Sequence, residues 1–343
     1  MTAQQLSSGD LISDRRAQYA RMYAEGGDAA AAADLQAQAL ERAPDWAAGW
    51  HQLGLYREKA GDLAGAAEAW RQVLTLSPTD IFGAGLKLSL TGQAEMPSLP
   101  PCEYVEALFD DYSHRFDTAL MEDLGYRVPE RLAGLLDEVA GADAQFAKVI
   151  DLGCGTGLFG ERIRLKTSWL DGYDLSQGML AKAAEKGVYD HLEQADIGFG
   201  LPGGAPEPAN RADLVAASDV FAYFGDLDTV IGIAAALVRP GGLLAFSCEA
   251  GRDGEDWLLQ PSLRYRHGGG YLGAVLARHG LSIERMEREP IRRDGAETIE
   301  GYLVIARRPA EAALVPGALA PQAGSTELGE DTAGALPPPG YRM

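Results

Sequence analysis

The stretch "KVIDLGCGTGLFG" at residues 148–160 combines an acidic residue with four closely spaced glycines. Glycines in a tight strand-to-helix turn let backbone N–H groups approach a bound ligand closely. Asp151 stands directly before this turn, where its carboxylate would repel a pyrophosphate but suit a ligand with cationic groups and no phosphate. The stretch therefore predicts a binding turn for a positively charged ligand.

Two nucleotide-binding fingerprints overlap in this stretch. Gly155, Gly157 and Gly160 spell G-x-G-x-x-G, the dinucleotide signature. Together with Asp151, the glycines at 153, 155 and 157 spell D-x-G-x-G-x-G, which resembles the first motif of the S-adenosylmethionine-dependent methyltransferases. Both ligands use the same turn geometry, so the glycines alone leave an NAD(P) oxidoreductase and a methyltransferase open.

Further segments of the chain distinguish these two classes. In "LDGYDLSQGMLAKAAEKG" the pattern D-L-S-x-x-M-L-x-x-A resembles the second methyltransferase motif, and "QADI", "ADLVAASDVFAYF" and "LVRPGGLLAFS" resemble the motifs after it, in the family's order. "GYLVIARR" is similar to the antiparallel seventh strand that separates class I methyltransferases from dehydrogenases. The resemblance favours methyl transfer and implies S-adenosyl-L-methionine as the cofactor.

The resemblance also implies which residues bind this methyl donor. Asp174 ends the second predicted strand, where a carboxylate accepts hydrogen bonds from ribose hydroxyls. In the family, the acid at the place of Asp196 binds the adenine amine and the next backbone N–H, here that of Ile197, caps the ring. Ser176 is also open to interpretation as a helix N-cap and Met179 as a core residue. The candidate donor-binding residues are Asp151, Gly153, Gly155, Gly157, Asp174, Ser176, Met179, Asp196, Ile197 and Asp219.

The N-terminal part contains an internal repeat. "GGDAAAAADLQAQALERAPDW" and "AGDLAGAAEAWRQVLTLSPTD" match at a shift of 34 residues, which takes Gly27 to Gly61. Arg57 stands where the tetratricopeptide repeat usually has tyrosine, but other positions of the second copy resemble that repeat. These positions are Trp50, Leu53, Gly54, Ala66 and Pro78. We predict repeats over 13–46 and 47–80, a partial third unit whose helix begins near Ile81 and caps them, and a protein or peptide partner.

Three residues are candidates for catalysis. A base is needed when the methyl acceptor is protonated. His267, in "SLRYRHGGGY", has a side chain that titrates near neutral pH, and the alternative is that it ties this loop down by hydrogen bonds. His114 lies in "DDYSHRFD", within a lead-in similar to that of bacterial tetratricopeptide-containing methyltransferases, where Tyr112 and Phe116 become candidate lid aromatics. Tyr223, in the fourth motif, is the third candidate.

The alternation of strands and helices after residue 147 predicts an α/β fold: a seven-stranded Rossmann-like methyltransferase sheet behind an N-terminal all-α repeat domain. The predicted divisions are a repeat domain at 13–92, a Pro-rich linker at 93–103, a class I methyltransferase domain with a helical cap at 104–308, and a disordered tail at 309–343. The strands expected in the sheet are Lys148–Leu152, Ser168–Tyr173, His191–Gln194, Leu214–Ser218, Gly242–Cys248, Ser282–Glu289 and Gly301–Ala306, with the last two antiparallel.

Composition excludes several partner classes. Fifty acidic against thirty basic residues give a net charge of −20, and no basic run is present, so nucleic acid is not expected as a partner. No apolar run predicts a membrane helix, and the N-terminus does not resemble a signal peptide. Three separated cysteines (Cys102, Cys154 and Cys248) predict neither disulfides nor a metal site and fit the cytoplasm.

The sequence thus predicts a cytoplasmic S-adenosylmethionine-dependent methyltransferase whose repeat domain recruits a protein partner or substrate. A catalytically silent adaptor that only binds the donor is the alternative. The methyl acceptor stays open between a protein side chain, a small metabolite and a lipid-like acid.

Overall fold

The computed structural model describes residues 7–112, 126–204, 207, 210–294 and 297–310. Residues 311–343, which make up most of the predicted tail, lie outside this described part. The N-terminal region is helical, and its helices are α1 (Leu11–Glu25), α2 (Ala29–Leu40), α3 (Ala47–Lys59), α4 (Leu63–Leu76) and α5 (Ala84–Leu90). Within the described residues, no helix combines the length and apolar character that a bilayer crossing requires.

The sequence repeat is also a structural repeat. Asp28 caps α2 by accepting the backbone N–H of Ala31, and Asp62 caps α4 in the same way through the N–H of Gly65. Caps of this kind satisfy backbone donors that the first helical turn leaves free. The preceding glycines, Gly27 and Gly61, have φ values of 87° and 84°, which glycine adopts readily. Each repeat thus begins its second helix with the same turn.

Small and large side chains interlock in the repeat core. Gly54 of α3 faces Trp70 of α4 so closely that a Cβ atom at this glycine would lie 2.2 Å from the indole nitrogen. Trp70 belongs to a buried cluster that also contains Phe82 and, from α5, Leu88. The helix that was predicted to begin near Ile81 begins at Ala84. It packs on the second repeat, as expected.

The rest of the described chain is a mostly parallel sheet covered by helices. The helices are α6 (Cys102–Tyr112), α7 (Val128–Ala140), α8 (Leu158–Ile163), α9 (Gln177–Lys186), α10 (Asp228–Leu237) and α11 (Gly269–Arg278). The strands are β1 (Phe146–Leu152), β2 (Thr167–Asp174), β3 (His191–Gln194), β4 (Ala212–Ala217), β5 (Val238–Ala250), β6 (Trp257–Leu259), β7 (Tyr265–His267), β8 (Ser282–Asp294) and β9 (Glu297–Arg307).

The strand order is β3-β2-β1-β4-β5-β7-β6, and β9 pairs with β5 and with β8. Both β9 pairings are antiparallel, which confirms the predicted antiparallel pair. The seven predicted strands are present; β3 has the predicted bounds, β4 begins earlier and ends one residue earlier, and the other five are longer than predicted. The described residues add a short antiparallel hairpin, β6–β7, that was not predicted. The hairpin was missed because each strand has three residues, too few to show a period-two pattern.

Alternating side chains of the central strands fill the two faces of the sheet. In β4, Leu214 packs into the cluster with Leu132 of α7, whereas Val215 packs into the opposite cluster with Ile231 of α10. Successive strand residues point to opposite faces, so a strand covered on both sides is apolar throughout. The helices thereby fix the sheet whose strand ends carry the predicted motifs.

The β6–β7 hairpin joins the repeats to the sheet. Leu86 of α5 packs in a buried cluster with Leu259, Leu263 and Tyr265. The Tyr265 hydroxyl donates a 2.7 Å hydrogen bond to the carbonyl oxygen of Pro97, in the Pro-rich segment before α6. One helix, α5, therefore contacts the second repeat and the hairpin through different residues.

Candidate active site

A cavity of about 660 Å³ opens beyond the carboxyl ends of β1, β2 and β4. In open parallel sheets this edge, where neighbouring strands connect in opposite directions, is where ligands bind. One wall is helix α6, which contributes Tyr104 and Phe109, and Tyr126 before α7 also lines the cavity. The volume lies within the range usual for small-molecule sites.

The glycine turn after β1 forms the floor of the cavity. Gly153, Gly155 and Gly157 have φ values of 64°, 54° and 89°, in the left-handed region that favours glycine. A Cβ atom at Gly153 would lie 2.4 Å from a methyl carbon of Val220. Both the turn and the close approach explain why glycine occupies these positions.

Asp174 ends β2 and is held by the glycine turn. Its Oδ2 accepts the backbone N–H of Gly155 and its Oδ1 accepts that of Ser176, both at 2.8 Å. Burial raises the pKa of this carboxyl to about 6, and the two backbone N–H groups oppose the shift. The carboxylate lines the cavity, where its remaining lone pairs can accept hydrogen bonds from a ligand.

Asp151 is fully buried at the end of β1. Its Oδ2 accepts a 2.7 Å hydrogen bond from the Tyr189 hydroxyl, whereas its Oδ1 has no hydrogen-bond partner among the described residues. Burial raises the pKa of Asp151 to about 7, the Tyr189 hydroxyl opposes this shift, and the charge of Asp174 adds to it. A buried carboxyl oxygen without a partner can accept a hydrogen bond from a ligand, and a second carboxyl beside it adds negative charge to this part of the cavity.

Asp196 and Ile197 line the cavity after β3, together with Met179 from α9. The Oδ1 atom of Asp196 accepts the backbone N–H of Gly198 at 2.9 Å, which fixes the turn. Met179 is 1% exposed and still lines the cavity, so it is a core residue that also faces the candidate site.

Two predicted donor-binding residues are placed differently. Ser176 is fully buried and its Oγ accepts the N–H of Met179 as the N-cap of α9 while donating to Asp110 of α6 at 2.5 Å. Gly157 begins α8 and faces Tyr189, whose ring lies 2.9 Å from the position of a Cβ atom. Neither residue lines the cavity, so the structure corrects both assignments to structural roles in the turns.

Beyond β4, a chain of charged side chains lines the opposite part of the cavity. Arg292 of β8 is buried, forms an ion pair with Glu249, and has its Nη1 3.4 Å from Oδ1 of Asp219. The Nη1 of Arg264 lies 3.8 Å from Oδ2 of Asp219. The guanidinium carbon of Arg264 lies 5.2 Å from the centre of the Tyr223 ring, in a cation–π contact. Asp219 is thus shared between two arginines.

Tyr223 lines this part of the cavity with its hydroxyl buried and without a hydrogen-bond partner in the described part of the chain. Burial raises the pKa of the phenol, although the Arg264 charge opposes the shift. The hydroxyl is therefore protonated near neutral pH. A protonated phenol in a cavity can donate a hydrogen bond to a ligand.

His267 does not line the cavity, which corrects its assignment as a general base. It is fully buried, and its Nε2 lies 2.8 Å and 3.0 Å from the carbonyl oxygens of Phe224 and Gly225. Carbonyls only accept, so Nε2 carries the proton and donates. Burial lowers the pKa of His267 to about 4. These contacts match the alternative interpretation, in which the histidine ties the chain down, here behind Tyr223.

The predictions for His114, Phe116 and the Tyr112 side chain lie outside the described residues. Sequence reasoning missed the arginines Arg264 and Arg292 and the buried hydroxyl of Tyr189. The alternation of basic and aromatic residues in "SLRYRHGGGY" is a signal for this segment, but in it Arg264, and not His267, lines the cavity. Nothing local marks Arg292 or Tyr189.

Comparisons with known proteins agree with this architecture. A family described as "Methyltransferase domain" matches residues 124–283. The TPR repeat-containing protein PA0015 of Pseudomonas aeruginosa is 46% identical over 57 residues, which are 17% of this chain and 54% of that protein. The malonyl-[acyl-carrier protein] O-methyltransferase of Salmonella typhimurium is 34% identical over 103 residues, 30% of this chain and 39% of that enzyme.

Among solved structures, the [4+2]-cyclase SpnF has a TM-score of 0.50 and is 20% identical to this chain. The match covers 63% of this chain and 98% of the SpnF chain, and at this identity it supports the fold alone. The chain spans 54% or less of the length of the two curated relatives named above. The family match, the motif order and the helical repeats agree. Residues 124–283 match the methyltransferase-domain family, and the N-terminal helices are similar to a tetratricopeptide-repeat protein, which supports a class I S-adenosylmethionine-dependent methyltransferase domain preceded by tetratricopeptide repeats.

Proposed function

We propose that this protein binds S-adenosyl-L-methionine in the cavity and transfers its methyl group to an acceptor held on the Tyr223 and Arg264 side. The observation that carries the proposal is the pair of buried carboxyls, Asp151 and Asp174, beside the glycine turn, with one oxygen of Asp151 lacking a hydrogen-bond partner among the described residues. Asp174 suits the ribose of either ligand, whereas Asp151 favours a cationic, phosphate-free ligand over a dinucleotide. The domain divisions at 13–92 and 104–308 stay predictions within this proposal.

The side chains divide the binding work. Asp174 accepts hydrogen bonds from the ribose, and Asp196 and Ile197 contact the adenine. Asp151 faces the cationic end of the donor from beneath the turn. When bound, S-adenosylmethionine supplies an activated methyl group, so the chain has to align the acceptor and exclude water. Helix α6, which lines the cavity, supplies that cover.

In this proposal positioning carries the reaction, without a histidine or a phenolate base from the described lining. The part of the cavity that the structure describes is lined by no histidine, and the Tyr223 phenol is protonated. Tyr223 orients the acceptor by donating a hydrogen bond. An acceptor that is already ionised needs no proton removed before it attacks the methyl group.

Calorimetry with S-adenosylmethionine and with NAD tests the donor assignment. We expect binding of the first and none of the second. Gly153→Ala should abolish donor binding, because its methyl group would collide with Val220 at the positive φ of this residue. Gly134→Ala is the matched control, since a methyl group there meets open space. Donor binding by a folded Gly153→Ala protein at wild-type strength would contradict the site.

Transfer itself is tested with methyl-labelled donor and fractions of cell extract. Label entering protein or small molecules supports the enzyme and removes the silent-adaptor alternative. If the protein binds the donor and no fraction accepts label, the adaptor is the better description. The two experiments therefore separate donor binding from turnover.

We further propose that the repeats recruit a protein partner. Tyr19, Met22 and Tyr23 on α1 are exposed although large and apolar, and their spacing places them on one helix face. Changing all three to serine should lower label transfer to the acceptor-containing extract fraction and leave donor affinity unchanged. Leu165→Ser, at an exposed apolar residue of the methyltransferase region, is the control. Equal transfer by the triple variant and the control would contradict recruitment by this face.

A further inference from the structure

The guanidinium of Arg264 lines the cavity and, among the described residues, has no carboxylate within hydrogen-bond distance. Its closest carboxylate contact is to Asp219, at 3.8 Å, which is too long for a hydrogen bond. Its other contact is with the ring face of Tyr223, which attracts the charge but accepts no hydrogen bond of good geometry at its hydroxyl. A guanidinium has five N–H donors in a fixed fork. A ligand in the cavity can therefore accept hydrogen bonds from Arg264.

Residues next to Arg264 have strained backbone angles that fix its position. Leu263, directly before it, has a φ of 62°, and Asp219, whose carboxylate lies beside the guanidinium, has a φ of 59°. Such values strain the backbone of non-glycine residues, and residues with this strain cluster at functional sites. Leu263 and Tyr265 pack on Leu86 of the repeat cap, and Arg264 between them faces the cavity. The hairpin is thus anchored on both sides of the arginine.

Charge in the cavity is divided between two halves. The half at the ends of β1 to β3 carries Asp151, Asp174 and Asp196, which suits the cationic donor of the proposed function. The arginines line the other half, where Arg264 and Arg292 face the carboxylates of Asp219 and Glu249. This second cluster has balanced charge but more N–H donors than carboxylate oxygens. Such a cluster suits a ligand that brings acceptor oxygens and one negative charge, rather than a doubly charged phosphate.

We propose that the methyl acceptor is a small molecule that carries a carboxylate on an apolar body, and that Arg264 binds this carboxylate while the Tyr223 hydroxyl donates to it. The apolar body lies against the aromatic wall formed by Tyr104, Phe109 and Phe224. Bidentate pairing with a carboxylate is the geometry that a guanidinium offers. The inference rests on the proposed function, because a donor in the acidic half leaves the arginine half for the acceptor.

The test measures binding of carboxylates against their uncharged amides. The probes are octanoate with octanamide and 2-naphthoate with 2-naphthamide, titrated into the full chain saturated with S-adenosylhomocysteine. We expect at least one carboxylate to bind about tenfold or more tightly than its amide, the size of one charge-assisted hydrogen bond. Equal binding, or no binding, of both members of both pairs would overturn the proposal.

Arg264→Gln should remove the preference for the carboxylate, and Arg264→Lys should keep only part of it, because lysine keeps the charge but loses the planar fork. Arg266→Gln is the matched control, since Arg266 is two residues away and is paired with Glu255. Retained S-adenosylhomocysteine affinity shows that each variant is folded. A preference that survives in Arg264→Gln would assign the anion site elsewhere. Wild-type protein that binds carboxylates but not S-adenosylhomocysteine would contradict the proposed function instead.

Discussion

Replacement of Asp174 by asparagine tests the donor pocket most directly. The carboxylate accepts two backbone N–H groups at 2.8 Å and, in the proposed site, also the ribose hydroxyls. Asparagine keeps the size of the side chain but replaces one accepting oxygen with an NH₂ group. That group can neither accept from the backbone nor accept from the ribose. The variant therefore loses hydrogen bonds on the protein side and on the ligand side.

The magnitude follows from hydrogen bonds to a charged group, which contribute about 1.5–3 kcal/mol each. One such bond lost from the ribose weakens donor binding by about tenfold to a hundredfold. Calorimetry with S-adenosylmethionine near pH 8 is the assay, because there Asp174, whose pKa is about 6, is ionised in the wild-type protein. Thermal unfolding of the variant checks that its fold persists.

Asp213→Asn is the matched control for Asp174→Asn. Asp213 is a carboxylate near the start of β4, where it accepts the backbone N–H of Lys148 at 2.9 Å and pairs with Arg239, but it does not line the cavity. Its replacement should lower stability and leave donor affinity unchanged. Unchanged donor affinity in Asp174→Asn, with the protein folded, would refute the assignment of this carboxylate to the ribose.

Three further predictions concern stability. Burial raises the pKa of Asp151 from 3.8 to about 7, so the stability that this carboxyl contributes is present below about pH 4 and is lost as pH rises through 7. Asp151→Asn should therefore raise the melting temperature near pH 8 while weakening donor binding. Burial lowers the pKa of His267 from 6.5 to about 4, so its contribution to the free energy of unfolding is lost as pH falls from 6.5 to 4. Urea titrations should show this loss in the wild type and not in His267→Gln. Turnover of the variant should show no new pH dependence between about pH 6 and 8. Leu86→Ala should lower the free energy of unfolding by about 2–5 kcal/mol, because it leaves a cavity in the buried cluster between α5 and the hairpin. Leu165→Ala, at a residue 92% exposed, should change the free energy of unfolding little. Similar denaturation midpoints of the two variants would contradict this packing.

The sequence by itself determined the local features that repeat or punctuate the chain. Asp28 and Asp62 cap helices, and the glycines after β1 adopt positive φ, because caps and tight turns depend on few neighbouring residues. The positions of seven strands followed from the alternation of apolar runs and helices, and the antiparallel end followed from the short connection between the last two of them. These are properties of chain segments shorter than a domain.

Only the tertiary structure decided which polar groups meet in the cavity. The hydrogen bond from Tyr189 to Asp151 joins residues 38 positions apart, and the ion pair from Arg292 to Asp219 joins residues 73 apart. His267 looked reactive in the sequence and is buried against two carbonyls, whereas Arg264, three residues before it, reaches the cavity. The strand β7 is too short for its facing to be read from periodicity, and the packing of Leu263 and Tyr265 on the repeat helix determines it. Burial and contacts across the fold, which no local pattern encodes, therefore set the chemistry of these side chains.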